Sequence, residues 1–289
     1  MTERTENEVA FLKEFFILYE KLIHEDFVSI NGKAESLGTK CVEILDSHIT
    51  RLDPLHLTMD FGPRKTPSKY VEKELDWYLS EDLNIKGHVD DIEIWTKVCD
   101  KDGFINSNYG NLVFSKENFK QYQHVLNELI AHPDSRRALI IYTRPSIWLE
   151  YDADGMSDFI CTISAQVFIR NNKLYYINNM RSQDAIFGMF SDVEWASYVY
   201  RRLFNDLKQH YPDLEVGTMN WNCGSFHLYE KHFQMLKDII EANKDMYARW
   251  KALKVSEYER FKKECEYIGL SIDETNFKTE YDWIIGNDK

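Results

Sequence analysis

The sequence predicts an α+β domain with one continuous core. Helical periodicity dominates the first 130 residues, β-rich runs take over from residue 138, and no repeat, low-complexity segment or Pro/Gly/Ser linker divides the 289-residue chain.

The elements follow in order. Residues 8 to 23, EVAFLKEFFILYEKLI, set Val9, Leu12, Phe15, Phe16, Tyr19, Leu22 and Ile23 at helical spacing, with Thr5 and Glu8 placed for a capping box. CVEIL (41 to 45) reads as a strand and SKYVEKELDWYLS (68 to 80) as a helix. SKENFKQYQHVLNELI (115 to 130) reads as a helix that buries Phe119, Tyr122, Leu126 and Leu129, and HPDS then breaks it. ALIIYT, DFICTISAQVFIR and KLYYINNM are strands, the last two joined at NNK as a hairpin. A helix over Val193 to Leu207, a short strand at VGTMNW and a helix from about Phe226 to Asn243 complete a domain of residues 1 to 245. Residues 246 to 289, rich in charge and aromatics, read as a helical or irregular appendage.

Composition narrows the function. A chain with 44% hydrophobic and 14% aromatic residues fills a substantial core. No stretch approaches the ~18 apolar residues of a membrane span, and MTERTENEVAFLKEFF is acidic where a secretory signal is basic, so a cytoplasmic protein is expected. The net charge of -13 argues against a general nucleic-acid surface, so an anionic ligand must meet a local arginine cluster. The five cysteines are scattered, without a CxxC pair, and suggest neither a zinc site nor a disulfide framework.

Four stretches hold polar residues where a core prefers none. In MSDFICTISAQVFIR, Phe159, Cys161, Ile163 and Ala165 fall on one face and Ile160, Thr162, Ser164 and Gln166 on the other. A lone thiol there is either a small hydrophobe or a reactive group. PDSRR offers Arg136 and Arg137, and with Arg181 these make a phosphate clamp or merely solvated charges. NNMRSQDAIFGMFSD and NWNCGSFHLYEKH hold further candidates, among them His227 and Tyr229 near a predicted helix start.

The ordered run ELDWYL, NIKGH, IEIW, INSNYG, PDSRR, SDFICT, MRSQDAIFG and WNCGSFHLY resembles the thymidylate synthase superfamily over roughly residues 36 to 235. The resemblance is closest to its phage-type deoxycytidylate hydroxymethylases. It implies a mixed sheet covered by helices, with sheets packed back to back in a homodimer. It also implies 5,10-methylenetetrahydrofolate as co-substrate, a pyrimidine nucleoside monophosphate as substrate, and no metal.

By the same resemblance Cys161 is the nucleophile that adds to C6 of the ring and activates C5, and Gln166 is the glutamine of its strand. Arg181 lies beside it and lowers its pKa; with Ser182 it binds the phosphate, which Arg136 and Arg137 reach from the other subunit. His227 and Tyr229 hold the sugar 3′-hydroxyl, Glu74 organises proton transfer, Asp184 and Gly188 fall in the folate-contacting segment, and Tyr109 and Trp95 stand at the reacting end of the pocket.

Asp192 occupies the position that is asparagine in thymidylate synthases. An ionised carboxylate is acceptor-only, so it opposes uracil O4 and suits the cytosine amino group, with a proton at N3 completing the pair. Its other reading is a helix N-cap for Val193 onward.

Some positions depart from the resemblance. Ser36 falls where the synthases carry a phosphate-loop arginine, with Lys33 or Lys40 as substitutes, and Thr162 replaces the histidine after the nucleophile. Transfer of a hydroxymethyl group to deoxycytidylate is the leading expectation. The others are a methylating enzyme on dCMP or dUMP, a CMP hydroxymethylase, and an idle nucleotide- or RNA-binding relative.

Overall fold

A computed structural model describes residues 4–29 and 40–268. The stretch holding Lys33 and Ser36 lies outside the described residues. The capping box forms: Thr5 N donates to Glu8 Oε2 at 3.0 Å and Glu8 N donates to Thr5 Oγ1 at 3.2 Å, starting α1 (Glu6–Ile23). This helix buries Leu12, Phe15, Phe16 and Leu22.

Among the described residues seven strands form one mixed sheet: β1 (Val28–Ser29), β2 (Lys40–Leu52), β3 (Leu139–Ile141), β4 (Thr162–Arg170), β5 (Lys173–Met180), β6 (Gln183–Asp184) and β7 (Glu215–Tyr229). The order is β1-β2-β7-β5-β4-β3, with β6 beside β7. β4 and β5 are an antiparallel hairpin whose turn residues Asn171 and Asn172 have φ of 49° and 58°, the left-handed pair that tight hairpins require. β5 and β6 both run parallel to β7, which brings the residues after β5 beside the end of β7. The helices are α2 (Ser68–Ser80), α3 (Glu93–Val98), α4 (Tyr109–Phe114), α5 (Gln121–Ala131), α6 (Ile147–Glu150), α7 (Gly188–Lys208), α8 (Phe233–Ala242) and α9 (Lys244–Tyr267).

Four expectations shift. The helix over 115 to 130 begins only at Gln121, because Phe119 and Lys120 adopt φ of 61° and 49°, and Phe119 is exposed rather than buried. The strand at VGTMNW is long and absorbs WNCGSFHLY, so His227 and Tyr229 are strand residues and the next α-helix starts at Phe233. CVEIL is the start of the 13-residue β2. The alternation through the cysteine fails at a register shift between Thr162 and Ser164: Ile160, Thr162 and Ala165 are buried, while Ile163 is exposed.

The chain divides into two compact units. One comprises residues 45–60 and 65–227 with the chain's start, and carries α2 to α7 with β3 to β6. In the other, residues 11–44, 61–64 and 228 onward, Phe16 packs its ring 5.4 Å from Tyr247 and 5.6 Å from Trp250. The buried Glu20 there accepts the Tyr247 hydroxyl and pairs with Lys251 at 3.1 Å. Among the described residues, the candidate site residues other than Tyr229 and Lys40 belong to the first unit.

Candidate active site

The hairpin builds the centre. Cys161 lies immediately ahead of β4 and Arg181 immediately after β5, and the ladder continues between them, with Arg181 N donating to Cys161 O at 2.9 Å. The guanidinium is fixed from three sides: Nε donates to Ile160 O at 3.0 Å, Nη2 donates to Phe159 O, and the Phe159 ring lies 4.7 Å below. That leaves Nη2 3.6 Å from Cys161 Sγ. β7 also reaches Arg181, with Ser225 N donating to its carbonyl at 3.1 Å, and a Cβ on Gly224 would stand 3.0 Å from that same oxygen.

Electrostatics at the thiol run against the simple expectation. Burial pushes the Cys161 thiol up to about 11; Arg181 pulls it down, but Asp192, Asp158 and Asp184 push it further up. Arg181 is in place, and its charge is outweighed.

Asp158, three residues before the cysteine, ties the approach to β4 onto the INSNYG segment. Its carboxylate accepts from Asn106 N and Ser107 N, both at 2.7 Å, and from Ser107 Oγ at 2.6 Å. Two residues on, Tyr109 opens α4 beneath a cluster of rings, stacked 5.2 Å from Tyr78 and edge-on 5.2 Å from Tyr142. A Cβ on Gly110 would lie 1.6 Å from the Tyr78 carbonyl, so this contact of α2 with α4 requires glycine.

Glu74 lies on the buried face of α2. Tyr70, one turn earlier, donates its hydroxyl to Glu74 Oε1 at 2.6 Å, and Trp95 lies against the same pair. Burial pushes the Glu74 carboxyl up to about 8, with Tyr70 opposing and Asp192 adding to the shift. A small cavity beside it is lined by Val71, Glu74, Leu75, Tyr78, Ser191 and Trp195. Trp95 meets Trp77 edge-on at 5.0 Å.

Asp192 is the fifth residue of α7, which begins at Gly188, so the N-cap reading falls. Gln183 Nε2 donates to Asp192 Oδ2 at 2.8 Å, and Trp221 Nε1 donates to Gln183 Oε1 at 3.2 Å. Burial pushes Asp192 up to about 7, opposed by the Gln183 hydrogen bond and assisted by Asp184. A Cβ on Gly188 would stand 3.1 Å from Gln183 Nε2 and 3.2 Å from Asp192 Oδ2. Asp184 caps the entry to α7, accepting from Ile186 N and Phe187 N at 2.8 Å each, and pairs in register with the buried His227. Ser225 Oγ lies 3.3 Å from His227 Nδ1.

The remaining candidates stand further out. Gln166 Nε2 donates to Arg136 O at 2.8 Å, holding the PDSRR turn to β4. Arg137 is paired with Glu128 at 2.9 Å, and both arginines are exposed. Ser182 is half-buried between Arg181 and Gln183, and Tyr229 ends β7 in the second unit. In that unit Lys40 Nζ lies 5.2 Å from the Phe27 ring. No set of three His, Cys, Asp or Glu able to hold a metal occurs among the described residues, and no described helix is long and apolar enough to cross a membrane.

Sequence reading missed Tyr70, Asp158 and Gln183. Tyr70 carried a signal, the i,i+4 spacing to Glu74 on one helix face. Gln183 carried none, because only the fold places Trp221 and Asp192 on either side of it.

A thiol at the start of a strand, beside a fixed arginine and within electrostatic reach of Asp192, Asp158 and Asp184, is an arrangement suited to a nucleophilic transferase. The thymidylate synthase family model matches residues 29–272, and the chain belongs to that family. It is 38% identical over 218 residues to the deoxycytidylate 5-hydroxymethyltransferases of Enterobacteria phages T6 and T4, covering 74% of this chain and 84% of each relative. It is 29% identical over 240 residues to the thymidylate synthase of Buchnera aphidicola, covering 79% of this chain and 83% of that enzyme.

Proposed function

We infer that this protein transfers a hydroxymethyl group to C5 of deoxycytidylate. The observation that carries the reading is the carboxylate at Asp192: half-buried, held at Oδ2 by Gln183 and pushed up to about 7. One proton shared between Asp192 and cytosine N3 makes a bidentate contact, in which the other carboxyl oxygen accepts from the N4 amino group. Uracil reverses the donor and acceptor at both positions, and unmatched buried polar groups reject it.

Cys161 Sγ bonds to C6 of the base, and the electrons of the C5–C6 double bond make C5 a carbon nucleophile. The thiol proton must leave in that step, and Glu74 and Asp192, poised at about 8 and about 7, are the groups able to exchange protons at neutral pH. Methylenetetrahydrofolate supplies the one-carbon unit, and Trp95, Asp184 and the wall beside Glu74 are the residues that would hold it. Once C5 has bonded to the one-carbon unit, loss of the C5 proton breaks the carbon–nitrogen bond, releases tetrahydrofolate and leaves a methylene on C5; water ordered by Glu74 adds to that carbon, gives up a proton, and Cys161 departs from C6. The balance is dCMP, methylenetetrahydrofolate and water giving 5-hydroxymethyl-dCMP and tetrahydrofolate.

Arg181 and Ser182 bind the phosphate, with Arg136 and Arg137 completing the cluster across a homodimer. His227 and Tyr229 take the 3′-hydroxyl, Tyr109 supports the base pocket, and Gln166 holds the loop of Arg136. Gly188 keeps the wall beside Asp192 open. Replacing Asp192 by Asn tests the reading: turnover moves from dCMP toward dUMP. An unchanged preference in that variant would refute it.

A further inference from the structure

Gln183 is buried between Trp221 and Asp192, and its amide has one permitted orientation. An indole nitrogen is a donor only, so the atom 3.2 Å from Trp221 Nε1 must be the amide oxygen. The amide NH2 is therefore turned to Asp192, where it donates to Oδ2 at 2.8 Å. An oxygen that accepts this bond is a poor place for the carboxyl proton. A protonated Asp192 can present two opposite faces: O–H toward N3 with a carbonyl toward position 4, which fits cytosine, or the reverse, which fits uracil.

We propose that Gln183 is a positioning residue that sets base choice: locked by Trp221, it holds Asp192 Oδ2 as an acceptor for the cytosine amino group and confines the carboxyl proton to Oδ1, facing N3. Gly188 belongs to the same device, because any side chain there would press on both the Gln183 amide and Asp192 Oδ2. The inference rests on the deoxycytidylate reading and deepens it: the carboxyl alone tolerates either base, and its neighbour removes the choice.

The charge environment of Asp192 is otherwise unhelpful to selection. Asp184 approaches from β6, Glu74 with Tyr70 and Tyr78 from α2, and Tyr109 from α4; Cys161 and Tyr142 also face it. Gln183 is the neighbour that tells one carboxyl oxygen from the other, donating to Oδ2 at 2.8 Å.

The test measures affinity and kcat/KM for dCMP and dUMP across pH 6 to 9 in the wild-type enzyme, Gln183→Leu and Gln183→Glu. Taking the dCMP-to-dUMP ratio cancels the ionisation of the shared phosphate. In the wild type this ratio is expected to fall as pH rises above about 7, because ionised Asp192 suits neither base fully. Gln183→Leu is expected to lower the low-pH ratio at least tenfold and to move its fall to higher pH, since the donor that favours the carboxylate is gone. A structural defect alone would lower activity on both bases without moving that pH. Gln183→Glu keeps the shape and an acceptor for Trp221 should Leu fail to fold; it loses the donor and must also lose discrimination. Wild-type preference for dCMP that survives both substitutions overturns the inference alone. Wild-type preference for dUMP overturns the proposed function and the inference with it.

Discussion

Arg181 Nη2 lies 3.6 Å from Cys161 Sγ, yet the thiol is pushed up to about 11. The guanidinium is also committed to the carbonyls of Phe159 and Ile160, so it is a fixed charge, and burial with three nearby carboxyls outweighs it. Cys161 is therefore expected to rest as a thiol near neutral pH. Its alkylation rate, measured with iodoacetamide and corrected with a Cys161→Ser blank, is expected to rise with pH throughout the range 7 to 9 without a plateau. A plateau below pH 8 would show a thiolate already formed. Arg181→Ala removes the favourable charge and is expected to slow alkylation at every pH in that range.

Cys161→Ser keeps the volume of the side chain and removes a good carbon nucleophile. It is expected to reduce turnover by at least about a thousandfold while leaving dCMP affinity within a few-fold, measured by calorimetry. Retained turnover would remove covalent addition to C6 from the mechanism, and unchanged cellular function in a variant without turnover would favour the idle-binder alternative.

Asp192 and Glu74 cost stability. Both carboxyls have folded-state pKa values, about 7 and about 8, above their ordinary ones near 4. Below about pH 4 they are protonated in both states and cost nothing. As pH rises, the unfolded chain ionises them first, so stability is lost progressively between about pH 4 and pH 8. Asp192→Asn and Glu74→Gln are each expected to raise Tm by roughly 3 °C or more at pH 8, with the gain vanishing near pH 4. Equal gains at both pH values would contradict the assigned shifts.

Asp158→Asn places an amide nitrogen where three donors converge on a carboxylate. The expected loss is about 3 kcal/mol by urea unfolding. Activity should fall with it, because the same bonds hold the segment leading to Tyr109 against the approach to Cys161. A loss under 0.5 kcal/mol, taken as a rough floor for a removed hydrogen bond, would mean the loop is held by other contacts.

Much of this was legible from side-chain pattern. The Thr5–Glu8 capping box, the α2 helix and the Asn171–Asn172 hairpin are local, and the residues at those positions dictate them. The misread elements depend on distant partners. β7 remains a strand through His227 because β5 and β6 pair with it, overriding the aromatic and charged composition that suggested a helix. Likewise the register shift at Thr162 is set by pairing with Met180 and Asn179 rather than by alternation within the strand. At the site, the polar motifs named the residues but not the balance at Cys161. Charge proximity is visible in a motif; burial is not.

The most direct test is to incubate the purified protein with methylenetetrahydrofolate and dCMP, CMP or dUMP, and to identify the pyrimidine product by mass. The expected result is the gain of a CH2O unit on dCMP, with little product from the other two nucleotides. A methyl group on dCMP would contradict water capture, and product formed from dUMP in preference to dCMP would contradict the reading of Asp192.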